Sequence, residues 1–589
     1  MKVQPTENWK KKLIKNPAYI FYLIKKQFVY PARPMVKPDP EQEPAYIPAP
    51  ELNLSQEPQK PDLLCIMDVF TKSCFSPEFN IVSPTPENWK ENLEQFSFDA
   101  LFVESAWHGN DDTWQYRIGT YQERFMEPIR SLIDTCKEKG IPTIFWNKED
   151  PVHYEKFLDT AKRFDYIFTT DADCIPGYKE QAGHGHVYAL PFAAQPELHN
   201  PVLEQERDGQ VCFAGTYHAK RYADRRDDMD VILKPALDFG LDIYDRMHGA
   251  DPKYAENYRF PDIYQPSIRG KLEYDDMVRA YRKYKVFLNV NSVRNSPTMF
   301  ARRVFELLAC GTPVISTYSK GIIDILGEDT VFITETEKDT RDYLEKLLGD
   351  ETFWWKQSLN GMRKVLENHT YHHRTKEIFA LAGIRAMEKP RPKFLVVSPV
   401  SSDAEIRTVS EFLQQQHYRD FKVLFLVKTG GQIQENSFEE ARNRLLPNEI
   451  IFIEQESADV EKLVPDIPDV DYLAMMNPEH YYGINYLRDY ALAIGYSGAG
   501  ILGKKSFFHT DQSGKCTLID KGHEFRYTAD TPAASIVIRN DLLTAERIRT
   551  LLMNEMFSSG YNNIFSIDPY NFIANYSDIC QETIEGVII

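Results

Sequence analysis

The sequence predicts an α/β protein whose parallel sheets are covered by helices on both faces. From residue 62 onward, short apolar runs alternate with segments of helical spacing. The 589 residues exceed what one hydrophobic core usually supports, and 42% hydrophobic with 26% charged residues is typical of a globular chain. We therefore predict an N-terminal extension, two Rossmann-like domains and a C-terminal α/β domain, at 1–61, 62–208, 209–388 and 389–589.

Charge and cysteine content exclude several classes of function. A formal net charge of −18 disfavours a nucleic-acid partner, because the phosphate backbone would be repelled. The eight cysteines lack the short paired spacings of a zinc site or a disulfide framework. No secretory signal pattern opens the sequence and no run of about 18 apolar residues occurs in it. We therefore expect a soluble cytoplasmic protein.

The predicted N-terminal extension combines a basic aromatic segment with a linker. In residues 8–30, lysines flank apolar side chains, a mixture that suits contact with an anionic membrane surface. The same segment would equally suit a helix docked on the protein's own body or on a second subunit. Residues 31–61 are rich in Pro, Glu and Gln and are predicted to be a tether or an extended strap.

The first Rossmann-like domain is predicted to contain strands at 63–67, 100–103, 143–146 and 166–169 and helices at 86–96, 121–139 and 154–163. Ligands of parallel sheets bind outside the carboxyl ends of the strands. The candidate ligand contacts near these strand ends are Glu104, Trp107, His108, Trp114, Asp150 and His153. Two alternatives stay open: the aromatic residues could belong to the core, and Asp150 could cap the following helix.

The second domain opens with a predicted strand at 211–214 that is followed by Gly215 and Thr216. Cations come about one helical turn later, at Lys220, Arg221, Arg225 and Arg226. A small-residue turn after a strand, followed by cations, is a plausible phosphate cradle. Solvated arginine pairs on a helix would give the same pattern.

The stretch 284–316 predicts strand, loop, helix, turn and strand in succession. An apolar run at 286–290 is followed by a polar loop that contains Asn291 and Ser292, and by helical spacing at 300–309. Gly311 is suited to end that helix, and Pro313 cannot continue it. The helix carries Arg302, Arg303 and Glu306. Guanidinium groups and backbone N–H groups can bind a diphosphate, and a carboxylate can bind ribose hydroxyls.

The residues from Glu306 to Val314, ELLACGTPV, resemble the sugar-nucleotide half-site of GT-B glycosyltransferases. More closely, NVNS at 289–292 followed by SPTMFARRVFELLACGTPVIS at 296–316 is similar to the CgeB-type bacterial glycosyltransferases, which are associated with spore-surface and cell-envelope glycans. The resemblance implies two facing Rossmann-like domains, with the acceptor mainly on the first and the sugar nucleotide mainly on the second. Thr298 stands where many retaining members carry a second Glu, which leaves the stereochemistry open.

Glycosyl transfer defines roles for the candidates. A leaving diphosphate needs positive charge, and no metal is expected at this site. The donor-binding candidates are Glu306, Arg303, Arg302, Gly215, Thr216, Lys220, Arg221, Asn291 and Ser292. Neighbouring helix residues point about 100° apart, so within each cationic pair we favour Arg303 and Arg221. If the reaction inverts, Glu104, His153 or Asp150 is the base. Trp107, His108 and Trp114 are the acceptor-binding candidates; if the reaction retains, His108 would rather contact the donor sugar.

The third domain, at 389–589, resembles the GT-A fold of family-two glycosyltransferases through its order of strands and the segment FLQQQHYRDFKVLFLV. In that family an acidic pair after the strand equivalent to 472–476 holds a divalent metal. Here the corresponding residues are Asn477, Pro478, Glu479 and His480. A single Glu beside a Pro is a poor replacement for two carboxylates. We therefore expect a degenerate module that serves acceptor binding, polymer recognition or assembly.

Taken together, the sequence predicts a glycosyltransferase that moves a sugar from a nucleoside diphosphate to a cell-envelope, spore-surface or protein-linked glycan. Its partners would be a nucleotide sugar and a glycan or glycoprotein acceptor, and it could sit peripherally at the inner membrane face or the spore surface. One alternative is a GT-B-fold sugar-nucleotide epimerase, which needs no acceptor. The other is a non-catalytic scaffold that binds nucleotide sugars within a glycan-assembly complex.

Overall fold

A computed structural model describes residues 60–119, 125–219, 223–251, 257–454, 464, 466–511, 513–575 and 581–589. The predicted membrane or subunit contact at 8–30 lies outside the described residues, as do the linker to residue 59 and the donor candidates Lys220 and Arg221. The described domains belong to one compact unit that runs from Pro58 to Ile589. None of the helices in this part of the chain is both long and apolar enough to cross a membrane.

The first domain is built on a six-stranded parallel sheet in the order β2-β1-β3-β4-β5-β6. Apolar runs fill its central strands, which are buried as expected for a sheet covered on both faces. The strands are β1 Asp62–Ile66, β2 Asn80–Val82, β3 Ala100–Glu104, β4 Thr143–Asn147, β5 Tyr166–Thr169 and β6 Val187–Ala189. The helices are α1 Val69–Phe75, α2 Trp89–Gln95, α3 Glu127–Glu138, α4 Tyr154–Ala161 and α5 Ile175–Ala182.

The second domain has its own six-stranded parallel sheet, in the order β12-β11-β10-β7-β8-β9. The strands are β7 Gly209–Gly215, β8 Leu241–Asp245, β9 Ile268–Gly270, β10 Tyr284–Asn289, β11 Val314–Thr317 and β12 Phe332–Thr334. The helices are α6 Ala223–Ala236, α7 Tyr274–Lys283, α8 Arg303–Ala309, α9 Lys320–Leu326, α10 Glu337–Gly349, α11 Glu351–Asn368 and α12 Tyr371–Ala382. The prediction of an α/β fold with parallel sheets is confirmed.

Helix α12 returns from the second domain and packs on the first. Thr370, just before the helix, forms a parallel bridge with Ala194, and Arg374 donates hydrogen bonds to the carbonyls of Pro191 and Phe192. Phe379 packs its ring 5.7 Å from that of Phe79. The chain therefore crosses between the two domains twice, which fixes how their strand ends face each other.

The third domain contains an eight-stranded mixed sheet in the order β15-β14-β13-β16-β23-β18-β25-β21, a four-stranded sheet β17-β26-β19-β20 and a pair β22-β24. Its strands are β13 Phe394–Ser402, β14 Phe421–Gln432, β15 Ile450–Glu454, β16 Tyr472–Met475, β17 Tyr481–Tyr482, β18 Ile501–Gly503, β19 Phe507–Thr510, β20 Cys516–Ile519, β21 Arg526–Thr528, β22 Asp530–Pro532, β23 Val537–Arg539, β24 Met556–Ser558, β25 Ile564–Ser566 and β26 Phe572–Ala574. Its helices are α13 Asp403–Gln415, α14 Glu435–Leu445, α15 Tyr486–Ser497, α16 Ala545–Met553 and α17 Gln581–Val587.

Charged side chains join the third domain to helix α11 of the second. Arg363 on α11 binds Asp489 on α15 with two hydrogen bonds, of 2.7 and 2.8 Å, and both side chains are buried. Arg488 on α15 also donates two hydrogen bonds, to the carboxylate of Glu367 on α11. Paired guanidinium and carboxylate groups of this kind fix orientation as well as distance.

Three predicted helices differ from the observed ones. The helix predicted at 86–96 starts at Trp89, after a turn in which Asn88 bonds to Thr85. The helix predicted at 121–139 is observed over Glu127–Glu138, with a proline in its first turn, where the missing N–H costs nothing. The helix predicted at 300–309 starts at Arg303, because the preceding loop is bonded to the first domain, as described below.

Candidate active site

A cleft of about 660 Å³ separates the carboxyl ends of the first two sheets. Its first-domain wall is formed by Lys148, Glu149, Val152 and His153, which follow β4. Its second-domain wall follows β7 and β10, the two strands between which the order of the second sheet reverses. Ligands of open parallel sheets bind at such a reversal point. The cleft therefore lies where this topology favours a ligand.

Small and amide side chains form the floor of the second-domain wall. Gly215 closes β7 beside the ring of Phe213, and a Cβ at this position would come within 2.9 Å of that ring. Asn291 is buried, and its amide nitrogen donates to the Ser316 hydroxyl at 2.9 Å and to the Thr317 carbonyl at 3.0 Å. These bonds fix the loop after β10. Gly215, Thr216, Asn291 and Ser292, all predicted as donor contacts, line the cleft together.

Arginine side chains give the cleft its charge. Arg225 donates to the Ser292 hydroxyl at 2.6 Å and to the Val290 carbonyl at 3.4 Å, and its buried Nε has no hydrogen-bond partner among the described residues. Arg303 donates to the Ala214 carbonyl. Burial, together with the charge of Arg303, lowers the pKa of Arg225. The lining also includes Arg246 and an Arg294 that is paired with Asp228. With Lys148 these arginines make five cations against two lining carboxylates.

On the first-domain wall, His153 is the predicted candidate that lines the cleft. Its Nε2 lies 3.9 Å from the Glu149 carboxylate, and its ring meets Trp107 edge-on with centroids 5.1 Å apart. His153 is half exposed and occupies the N-cap position of α4. The imidazole can therefore reach a ligand in the cleft while Glu149 and Trp107 limit its orientation.

Glu104 does not face the cleft. It is fully buried at the end of β3, where it accepts hydrogen bonds from Lys148, at 3.2 Å, and from the backbone of Asp68. Burial raises its pKa, and Lys148 opposes that rise. Lys148 also binds Asp68 at 2.8 Å. The structure thus places Glu104 beneath Lys148, and this lysine stands between the carboxylate and any acceptor.

Asp150 is buried in a hydrogen-bond network behind the cleft wall. It accepts from Asn147 at 2.8 Å, from Thr169 at 2.6 Å and from Tyr178 at 3.0 Å. Burial raises its pKa to about 7. The alternative that Asp150 caps the following helix is wrong, because His153 occupies the N-cap position.

None of the three acceptor candidates, Trp107, His108 and Trp114, is among the residues that line the cleft. Trp114 is fully buried, and its indole nitrogen donates to the Pro84 carbonyl at 2.8 Å. A ring without exposed surface cannot stack on a sugar, so the prediction that Trp114 contacts an acceptor is corrected to a core role. His108 is exposed on a loop, where its Nδ1 lies 2.6 Å from Asp112. Trp146, in β4, is also buried in the core.

The buried Glu306 and the partly buried Arg302 form an ion pair outside the lining of the cleft. The Glu306 carboxylate accepts from Arg302 at 2.7 Å and from the Tyr281 hydroxyl at 2.8 Å, and His199 lies 3.9 Å away. Burial opposes ionisation, but Arg302 and the other neighbours hold the pKa of Glu306 below its usual value. Of the arginine pair, Arg303 is the one that points into the cleft, as favoured from the helical spacing.

Thr298 joins the two domains. Its hydroxyl donates to the Thr170 carbonyl at 2.8 Å and accepts from the Ala172 backbone at 2.9 Å. Two residues earlier, Ser296 donates to the Asp171 carboxylate. The position at which many retaining relatives carry a Glu is therefore used here for a contact between domains.

Sequence reasoning missed part of the site. Arg225 belongs to the predicted phosphate cradle but is not among the donor-binding candidates, and Arg246, which follows β8, is not predicted. Their positions after neighbouring strands could have predicted them, since the ends of β7 and β8 lie side by side in the sheet. His218, Asp228 and Arg294 also line the cleft. Apart from residue type, nothing in the sequence predicts that these three residues line the cleft.

In the described part of the chain, no group of three or more His, Cys, Asp or Glu side chains is arranged to hold a metal ion. In the third domain the turn after β16 is tied internally: the Asn477 amide oxygen accepts from the Glu479 backbone at 3.1 Å, and His480 accepts from the Asn575 backbone at 3.0 Å.

Comparison with known proteins gives one family match, and no curated protein matches the chain. The solved structures that are similar over about half of the chain include the following three. Sucrose-phosphate synthase from Thermosynechococcus elongatus shares 14% identity over 50% of this chain and 76% of that one, with a TM-score of 0.35. A Staphylococcus aureus TarM mutant, in complex with UDP, shares 10% identity over 50% of this chain and 58% of that one, with a TM-score of 0.34. Anabaena HepE, in complex with UDP and glucose, shares 8% identity over 55% of this chain and 100% of that one, with a TM-score of 0.38. The family match covers residues 231–380, so this part of the second domain is similar to the family described as glycosyl transferase-like.

Proposed function

We propose that the protein is a glycosyltransferase that moves a sugar from a nucleoside diphosphate to a hydroxyl group of a glycan acceptor. The observation that carries the proposal is the pair Arg225 and Arg303 at the reversal point of the second sheet. Both guanidinium groups donate to uncharged oxygens, and the buried Nε of Arg225 has no hydrogen-bond partner among the residues that the structure describes. Asp228 is the carboxylate that acts on Arg225, and it also pairs with Arg294, so the cations of this wall outnumber its carboxylates. An excess of partly buried positive charge is costly. A ligand diphosphate would supply the missing negative charge.

In this proposal the second domain holds the donor. Arg225 and Arg303 bind the diphosphate, because a planar guanidinium can donate two parallel hydrogen bonds to a phosphate group. The turn at Gly215 and Thr216 lets the phosphates approach the backbone, and Ser292 keeps Arg225 in place. When the bond between sugar and phosphate breaks, negative charge develops on the leaving diphosphate. Fixed cations in a water-poor cleft stabilise that charge most. In this proposal the arginines stabilise the leaving diphosphate.

The first domain supplies the acceptor side. If the reaction inverts the sugar configuration, His153 is the base, because it lines the cleft and both Glu104 and Asp150 are buried away from it. Glu149, 3.9 Å away, would stabilise the protonated imidazole. If the reaction retains the configuration, Thr298 replaces the usual Glu, and His153 contacts the donor sugar instead. Trp107, whose ring meets that of His153 edge-on, stays an acceptor candidate next to the cleft lining.

The resemblance to CgeB-type enzymes supports a narrower proposal for the acceptor, namely a cell-envelope, spore-surface or protein-linked glycan. The basic segment at 8–30 would then bring the enzyme to a membrane surface or to a partner subunit. The third domain acts as a GT-A-like accessory module. Its β13 and β14 stay paired as far as Ser402 and Gln432.

A non-catalytic scaffold is the second candidate. The observation that favours it is the position of Thr298, whose hydroxyl makes hydrogen bonds between the two domains. The scaffold would bind the same nucleotide sugar in the same cleft but would release no product.

Binding and turnover separate these functions. Thermal unfolding is followed with UDP-, GDP-, CDP- and ADP-glucose, for wild type, Arg225→Gln and Arg279→Gln. Arg279 is an exposed arginine on α7, paired with Asp276, and serves as the matched control. The proposal predicts that one donor family stabilises wild type and the control, by roughly 2.7 kcal/mol at a hundredfold over its Kd, and stabilises Arg225→Gln less. Release of the nucleoside diphosphate in the presence of an acceptor glycan then supports the transferase, and binding without release supports the scaffold. If no donor binds, both are wrong.

A further inference from the structure

The carboxylate of Glu306 is enclosed by protein on every side. Helix α8 buries all its residues from Val304 to Ala309, and Glu306 is 1% exposed. One carboxylate oxygen accepts from Arg302 and the other from Tyr281. A group that binds the two hydroxyls of a ribose must present an oxygen to the ligand. Glu306 presents none to the cleft in this structure.

Its partner Arg302 reaches across the boundary between the first two domains. The guanidinium carbon lies 3.9 Å from the ring centroid of Phe70, on helix α1 of the first domain, and 5.1 Å from that of Tyr274. A cation over an aromatic face is attracted by the negative charge of that face. Because Glu306 holds Arg302 from one side and Phe70 attracts it from the other, Arg302 has a defined place between the domains.

The ring of Phe70 also touches the cleft wall. Lys148 lies with its ammonium nitrogen 4.3 Å from the same ring centroid, and it binds Asp68 and Glu104. Lys148 lines the cleft on the first-domain side. Direct contacts thus run from Glu306 through Arg302 and Phe70 to Lys148.

The next residue, Arg303, points elsewhere. It lines the cleft and donates to the Ala214 carbonyl at the end of β7. Neighbouring residues on a helix point about 100° apart, so one cannot replace the other. The start of α8 therefore directs one arginine to the ligand and one to the opposite domain.

We propose that Glu306 is a positioning residue, which orients Arg302 against Phe70 and thereby sets the distance between the two walls of the cleft, and that it does not bind the ribose of the donor. This inference rests on the proposed function of the cleft. It assigns Glu306 a different role from the one that the sequence pattern implies. Phe70 and Lys148 belong to the same chain of contacts between the two walls.

The first test compares a probe that contains a ribose with one that does not. Calorimetry measures the affinities of UDP, GDP, CDP, ADP and inorganic pyrophosphate for wild type and Glu306→Gln. A positioning role predicts that the affinities for pyrophosphate and for the best nucleoside diphosphate change by the same factor. If Glu306 instead bound the ribose, Glu306→Gln would lower the affinity for the nucleoside diphosphate by about tenfold or more, since a hydrogen bond to a charged group is lost. The affinity for pyrophosphate would stay unchanged. The second result would overturn the inference.

The second test examines Phe70, which touches no donor in the proposal. Phe70→Leu removes the aromatic face, Phe70→Tyr keeps it, and Phe96→Leu is a control at an exposed phenylalanine of the same domain. With the nucleotide sugar that binds best, we expect Phe70→Leu to lower kcat by about tenfold with an unchanged Kd for the nucleoside diphosphate. Phe70→Tyr should restore kcat. Equal kcat values for Phe70→Leu and Phe96→Leu would contradict the inference.

Failure of the inference differs from failure of the proposed function. If wild type binds none of the four nucleoside diphosphates, the proposed function is wrong and the assigned role of Glu306 falls with it. If wild type binds one of them and Glu306→Gln loses it selectively, the proposed function stands and the inference alone is wrong.

Discussion

The hydroxyl of Ser296 donates a hydrogen bond of 2.5 Å to the carboxylate of Asp171 across the boundary between the first two domains. Asp171 follows β5, and Ser296 lies in the loop between β10 and α8. Both side chains are buried. Together with the two bonds of Thr298, this contact fastens the loop that carries the second-domain wall of the cleft to the first domain.

Breaking this contact should loosen the cleft. Asp171→Ala leaves the buried Ser296 hydroxyl without its acceptor, which typically costs about 1–3 kcal/mol. We expect a lower midpoint of urea unfolding and weaker donor binding than in wild type. Asp173→Ala, at an exposed position two residues away, is the control, because its carboxylate lies outside this contact. Equal midpoints for the two variants would show that the contact does not hold the domains.

The stability of the protein should fall in acid because of Glu78. This buried carboxylate accepts from Gln195 at 3.0 Å, from His372 at 2.9 Å and from Lys389 at 2.9 Å. Burial opposes its charge, but His372, Lys389 and Gln195 outweigh burial and lower the pKa of Glu78 to about 2. The folded pKa lies below the unfolded one, so the stabilisation is present above about pH 4.5 and is lost as the pH falls towards 2.

The size of this effect is about 3 kcal/mol, from the difference between the two pKa values. Urea unfolding of wild type and Glu78→Gln between pH 3 and 6 measures it. The variant should be less stable than wild type near pH 6, and the difference should shrink as the pH falls. A difference that stays constant across this range would contradict the account.

Asp150 should act in the opposite direction. Its folded pKa of about 7 lies above the unfolded value, so its contribution to stability is largest below about pH 4 and is lost as the pH rises through 7. Asp150→Asn can keep the bonds from Asn147 and Tyr178 and removes the buried charge. We expect the stability of wild type to fall more steeply than that of Asp150→Asn between pH 5 and 8. Parallel curves would contradict this prediction.

The pair Arg363 and Asp489 should determine how the third domain is held. Arg363→Met leaves a buried carboxylate whose remaining side-chain partner is Asn571 at 3.3 Å, and breaking a buried pair from one side costs about 3–5 kcal/mol. The double variant Arg363→Met with Asp489→Leu removes both charges and should recover most of the loss. Urea unfolding of the two single variants and the double variant measures the coupling. Additive losses would show that the two charges do not depend on each other.

Much of the fold could be predicted from the sequence. The apolar β-branched runs before Asn291 and after Pro313 became the parallel strands β10 and β11, because buried parallel strands need such runs. Gly311 adopts a φ of +68° at the end of α8, the conformation that its type favours. The start of α8 could not be predicted, since it depends on bonds from Thr298 to residues more than a hundred positions earlier.

The site was only partly predictable for a similar reason. Position after a strand end brought Gly215, Asn291 and His153 to the cleft, because the carboxyl ends of parallel strands meet at one edge. Position alone does not tell which way a side chain points, so Glu104 appeared as a base although Lys148 covers it. Arg302 and Glu306 are four residues apart and so share a helix face, and this spacing does predict their pairing.

The most direct measurement is the calorimetric titration of UDP, GDP, CDP and ADP into wild type, Arg225→Gln and the exposed control Arg279→Gln. The account predicts that at least one of these nucleoside diphosphates binds wild type and the control with equal affinity. It predicts a loss of about tenfold or more in Arg225→Gln, because a charged hydrogen bond to phosphate is removed. Absence of binding to wild type, or equal affinities for Arg225→Gln and wild type, would contradict the assignment of this cleft to the donor diphosphate.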